Sequence, residues 1–145
     1  MSEFESDRAA LLSDADRARV ELAGVVDRLD ATDMERVRRG SWPVSRILAH
    51  VIDSERIYTQ LISLFNGKPA VTVKTSDLNG PKAVNSSLQA TRAGLLEAIS
   101  GVEEKDFYRL QTIGHEEYSV LSILENVASH DREHAEQIRR TLQER

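Results

Sequence analysis

The chain has 145 residues, 40% hydrophobic and 30% charged, with a net charge of -5 and no cysteine. That size and balance predict one globular domain over residues 1–145 and exclude a disordered chain. The missing thiols exclude disulfides, a cysteine nucleophile and a cysteine-type zinc site. The acidic balance argues against a nucleic-acid partner, which needs a basic face. No run approaches the roughly 18 apolar residues of a membrane span, and the acidic start carries no apolar leader, so a cytoplasmic protein with no membrane association is expected.

Four segments carry helical periodicity, and almost nothing alternates as a strand does. In the first, Leu11, Ala15, Ala18, Leu22, Val25 and Leu29 form a narrow apolar stripe. The second opens at Ser41-Trp42-Pro43, which reads as an N-cap followed by a proline in the first turn. It runs through Val44, Ile47, Val51, Ile57, Tyr58, Leu61 and Phe65 and stops at Asn66-Gly67. Lys68 to Asn79 is a linker with a brief Val71-Thr72-Val73, long enough when extended to cross the length of a helix. The third segment opens after Asn79-Gly80-Pro81 and places Val84, Leu88, Leu95, Ile99 and Val102 on one side. A second long connection, Glu103 to Tyr118, holds one short helical turn at Glu103 to Phe107. The fourth helix begins at Ser119 and buries Leu121, Leu124, Ala128, Ala135, Ile138 and Leu142. Four amphipathic helices predict an all-α four-helix bundle with a crossover between helices 2 and 3.

Three of the four histidines sit on these helices. His130 and His134 are one turn apart on the fourth and share a face; His50 lies in the middle of the second. At 100° per residue, His130 and His134 lie along a flank of the apolar arc formed by Val120, Ile123, Val127 and Ile138. His50 falls among Ile47, Ile57, Leu61 and Phe65, so all three imidazoles face the same core. Imidazole is the commonest metal ligand, and three from two helices leave coordination positions open. The competing reading is a set of hydrogen-bonded core histidines, since burying three imidazoles requires partners. The fourth, His115, reads as a surface residue in the loop before helix 4.

The sequence His130-Asp131-Arg132-Glu133-His134 is not the H-E-x-x-H of a zincin protease, whose general base is a glutamate directly after the first histidine. Asp131 takes that place and projects toward the centre of the apolar arc. It reads either as a group orienting a ligand imidazole or as half of a buried ion pair. Arg92 falls between Leu88, Leu95 and Ile99, and Glu55 nears the edge of its own arc, so Arg92 facing Glu55 or Asp131 is expected. The alternative is an Arg92 that snorkels to solvent.

The run Trp42-Pro-Val-Ser-Arg-Ile-Leu-Ala-His50-Val-Ile-Asp-Ser-Glu55-Arg resembles the helix 2 signature of the DinB/YfiT-like family of metalloenzymes. His130-Asp-Arg-Glu-His134-Ala-Glu-Gln-Ile138-Arg resembles its helix 4 signature. The resemblance covers nearly the whole chain. It implies a bundle of up-down-down-up topology, frequent homodimers, and a divalent metal held by His50, His130 and His134. Two departures stand out. Glu133 replaces a further histidine of many relatives, and Pro43 stands where serine or threonine is usual.

Members of that family resemble low-molecular-weight-thiol transferases or isomerases, while others are known as stress-inducible proteins or hydrolases. Without cysteine, thiol chemistry here requires a thiol co-substrate beside a small-molecule substrate. A metal would equally activate water for hydrolysis. Zn²⁺, Ni²⁺ or Fe²⁺ all suit neutral imidazoles, no residue singles itself out as a catalytic group, and none points to an organic cofactor. The reading from another class is a bundle that binds metal or a ligand, or dimerises, without catalysis. A homodimer is expected from the family resemblance together with Leu12, Val26 and Ile52, which lie outside the main apolar arcs.

Overall fold

The computed structural model describes residues 2–75 and 77–143. Its elements, in chain order, are α1 (Glu3–Asp27), α2 (Ala31–Met34), α3 (Val44–Phe65), α4 (Pro81–Ser100), α5 (Glu104–Phe107), β1 (Gln111–Ile113), β2 (Glu116–Tyr118) and α6 (Val120–Gln143). The fold is all-α apart from one hairpin. Local chemistry sets most helix starts. Ser2 caps α1 by accepting from the Glu5 amide at 3.1 Å, with Glu3 and Glu5 in the favourable first turn. Pro81 occupies the first turn of α4, where its missing N–H costs nothing. Ahead of α6, Ser119 and Ser122 exchange amide-to-hydroxyl bonds of 2.9 and 3.0 Å.

The start of α3 differs from the sequence expectation. Pro43 is itself the N-cap and no side chain caps the helix. The Val44 amide instead donates to the Arg36 carbonyl at 3.0 Å, beside a bridge between Val37 and Pro43. The intervening loop closes through the Ser41 amide and the Arg38 carbonyl at 2.9 Å, with Gly40 at φ +79°, a conformation glycine adopts without strain. Ser41 is thereby freed from capping.

Two apolar clusters fill the interior. One joins the middle of α1 (Ala15, Ala18), with Phe4, Leu11 and Leu12 of its N-terminal half packed against it, and the N-terminal part of α6 (Val120, Ile123, Leu124) to the C-terminal ends of α3 (Ile62, Phe65) and α4 (Leu95, Ile99). The other joins the opposite ends: Leu22, Val25 and Val26 of α1, Val44 to Ile52 of α3, Val84 and Leu88 of α4, and Ala135 and Ile138 of α6. Burying an aliphatic side chain contributes about 1.5–3 kcal/mol, so these clusters carry the stability of the fold.

Several expectations are corrected here. Val26 and Ile52 are 0% and 2% exposed and belong to the core, because the apolar arcs of α1 and α3 are wider than the stripes drawn from spacing alone. Ile57 is 55% exposed: it lies two turns beyond His50 on the flank of α3, where the covered surface ends. Gln111–Ile113 pairs antiparallel with Glu116–Tyr118 across a Gly114-His115 turn, leaving His115 exposed at its tip. Three-residue strands are too short to alternate visibly. The α3–α4 connection is a strap held by Arg56, which donates to the Val73 carbonyl at 3.3 Å and to Thr75 Oγ1 at 2.6 Å. It packs across Gly94, where a Cβ would collide with Val73 Cγ2.

Candidate metal centre

His50 of α3 and His130 and His134 of α6 converge. The His130 Nε2 lies 3.2 Å from the His50 Nε2 and 2.9 Å from the His134 Nε2, and all three rings are half-buried. Each ring offers one nitrogen to a group whose members all lie within 4.8 Å of one another. A neutral imidazole has a single N–H, so one proton on His130 Nε2 cannot serve both facing lone pairs. One cation about 2.1 Å from each nitrogen serves all three, and it would place the nitrogens about 3.0–3.4 Å apart. The donor set therefore fits a divalent ion.

The surroundings keep His130 and His50 in the ligating form. Burial, reinforced by the charges of His134, His50 and Arg19, pushes His130 down to about 4 against the opposing pull of Glu55. Burial and then His134 likewise lower His50 against the pull of Asp53. His134 donates from Nδ1 to the Gln137 Oε1 at 2.8 Å, which leaves its Nε2 as the free lone pair. The Gln137 amide in turn donates to Ser41 Oγ at 3.1 Å. Neither Gln137 nor Ser41 was singled out in the sequence. Gln137 lies one residue short of a turn beyond His134 and held the only available hint.

On the far side of His130 lies a buried ion tetrad. Arg19 of α1 meets Glu55 at 2.9 Å and Asp131 at 3.0 Å, and Arg92 of α4 meets both at 2.9 Å. Glu55 and Asp131 are 3% and 2% exposed. Thr91 donates to Glu55 at 2.6 Å, while Arg19 and Arg92 donate onward to the Leu88 and Ala15 carbonyls at 2.8 and 3.1 Å. Burial pulls the Glu55 carboxyl up, but Arg19 and then Arg92 outweigh it and hold the group below its ordinary range. Burial likewise opposes the charge on Arg19, and Glu55 and Asp131 restore it. Arg92 is thus placed as expected, facing both carboxylates at once. Arg19 was missed, although at 100° per residue it lies about 20° from Val26 and 40° from Ala15, well inside the buried arc.

The motif resemblance meets an independent test in the family comparison. A DinB-superfamily model matches residues 14–138. The chain belongs to the DinB superfamily. This DinB-superfamily chain is similar in fold to a DinB-like protein from Bacillus cereus ATCC 10987, whose crystal structure is known at 2.01 Å. The TM-score is 0.70 at 13% identity, covering 92% of this chain and 89% of that one. No curated protein matches the chain. The superfamily is generally metal-binding, with which the three-histidine cluster is compatible. No helix among the described residues is long and apolar enough to cross a membrane.

Proposed function

We propose that this chain is a divalent-metal-dependent enzyme that transfers a group to or from a small-molecule thiol, with His50, His130 and His134 as the metal ligands. The observation that carries the reading is the convergence of three imidazoles, by 2.9 and 3.2 Å contacts, beside an open cavity of about 340 Å³. A ligand set closed on all sides would serve structure; this one borders space for a substrate, between Gly40, Ser41, Trp42, His50, His134 and Gln137. What a bound Zn²⁺, Ni²⁺ or Fe²⁺ supplies there is Lewis acidity, which lowers the pKa of a thiol or water brought to it. The chain's own part is positional. Gln137 fixes the tautomer of His134, Ser41 fixes Gln137, and the tetrad behind His130 holds α3 against α6.

The same reading takes the fold as one domain over residues 1–145, an up-down-down-up four-helix bundle whose α3–α4 strap is the crossover. The sharing of helix ends between the two core clusters supports it. It places a homodimer contact on the α1–α4 groove, where Val20 is 64% and Leu96 46% exposed, in a cytoplasmic protein. Light scattering tests the dimer: a mass near 16.3 kDa rather than twice that defeats it.

Activity is tested by loading the metal-free protein with each ion in turn and supplying a panel of thiols and electrophiles. Thiol-dependent turnover that disappears in His130→Ala is the expected result. Turnover of esters or amides without any thiol would replace transfer by hydrolysis. Metal binding with neither activity would leave a non-catalytic binding protein.

A further inference from the structure

The cavity beside the histidines is lined by no arginine or lysine, and Arg46 stands outside its lining. No carboxylate is among the six residues that line it, in a chain whose net charge is -5. Trp42 forms one wall, its ring edge-on to His50 with centroids 5.4 Å apart. On the same ring lies the Arg46 guanidinium, 4.5 Å from the centroid. Arg46 precedes His50 by four residues, so the two share a face of α3 about 6 Å apart along the axis. The arginine thus sits one turn from a metal-ligand position.

Arg46 is exposed and is held differently from the chain's inward or bridging arginines. Arg19, Arg36, Arg92, Arg132 and Arg139 each meet a carboxylate at 3.0 Å or less. Among the described residues no carboxylate pairs with Arg46; an aromatic face orients it instead, leaving its N–H groups available. Its location is unfavourable for the helix itself. It stands in the first turn of α3, at the positive end of the helix dipole, with no acidic residue there and no side-chain cap. The acid that follows His50, Asp53, shares this side of α3 two turns beyond Arg46, but its side chain is 70% exposed and faces Arg56 at 3.8 Å. A cation oriented by stacking, uncompensated by the helix and adjoining a cavity without acids is arranged for an anion from outside.

We infer that Arg46, stacked on Trp42, is a specificity-determining residue that selects small substrates carrying a carboxylate, positioned while their donor atom reaches the three histidines. The inference rests on the proposed metal-and-thiol reading only for the donor atom. A ligand with its donor and its carboxylate two carbons apart is a small probe that carries both groups.

Trp42 is the chain's single tryptophan, so its emission reports on this wall directly. The full-length protein loaded with Zn²⁺ is titrated with 3-mercaptopropionate, with the uncharged 3-mercaptopropionamide, and with propionate. The acid is expected to bind about fivefold more tightly than the amide, the size of a partly exposed charge pair. Arg46→Gln should erase that preference, and Arg46→Lys should keep part of it, with helix content by circular dichroism confirming that both variants fold. Equal affinities in the wild type, or a preference that survives Arg46→Gln, overturns the inference. If the amide does not bind but propionate still moves Trp42 emission in an Arg46-dependent way, the thiol reading fails and the carboxylate site stands.

Discussion

Two polar layers cross the same apolar core, and they are built on opposite rules. In the tetrad, two guanidiniums and two carboxylates are almost wholly buried and neutralise one another, and Thr91 and backbone carbonyls take up further valences. Arg19 directs five donated bonds inside this layer. In the histidine layer, three imidazoles present nitrogens to each other at 2.9 and 3.2 Å with too few protons to satisfy them, and the layer opens to a cavity. A saturated polar layer specifies how helices pack; an unsaturated one is a site. The histidines and the tetrad's two carboxylates lie on the same two helices, with Asp131 directly following His130 and Glu55 five residues after His50. The closed layer thereby holds the open one in register.

The sharpest way to break the contrast is Arg19→Met. It strands Glu55 and Asp131 with one guanidinium, and loss of one partner from a buried ion network costs about 3–5 kcal/mol. Urea denaturation should show that loss in the metal-free protein. A loss under about 1 kcal/mol would mean the tetrad is not closed as described. His130→Ala should do the reverse. Calorimetry should find metal affinity reduced beyond the roughly 10–100-fold typical of removing an orienting partner, with the metal-free protein nearly as stable as the parent. A severe loss of stability without metal would make His130 a core residue rather than a ligand.

Gln137→Leu sharpens the boundary between the layers. It keeps the volume but removes the acceptor for His134 Nδ1, and metal affinity should fall about 10-fold with ligand number unchanged. An unaltered affinity would reduce the Ser41–Gln137 bond to surface chemistry. The smallest effect is a pH dependence. His130 titrates near 4 when folded and near 6.5 when unfolded, so the unfolded chain binds the extra proton between those values. Stability of the metal-free protein is then complete above about pH 6.5 and declines as pH falls toward 4. Glu55, whose folded pKa is also depressed, adds a further loss only below the ordinary carboxylate range. Melting curves of parent and His130→Ala should diverge between pH 6.5 and 4 and run parallel above it; parallel curves throughout would contradict the burial of His130.

Periodicity made the four long helices legible, because a 3.6-residue repeat is a local property written into each segment. It also made legible the inward direction of His50, His130 and His134 and of Arg92, since a wheel position follows from spacing alone. The capping of α3 was not legible. Ser41 has the right chemistry for an N-cap, and the Val37–Pro43 bridge and the Gly40 turn direct it instead toward Gln137, a partner 96 residues away. The hairpin before α6 escaped because three-residue strands leave no period to count.

What the sequence determined by itself was direction: which side of each helix is apolar, and which charged or ligating groups break that side. Tertiary structure alone decided company. Arg19 drew no attention because charged residues are rarely buried, and its place depends on the packing that brings Glu55 of α3 and Asp131 of α6 within 3.0 Å of it. A wheel gives an angle about one axis. The partner at that angle, and hence whether a polar group is neutralised or left open to a ligand, is fixed only when the axes are packed together.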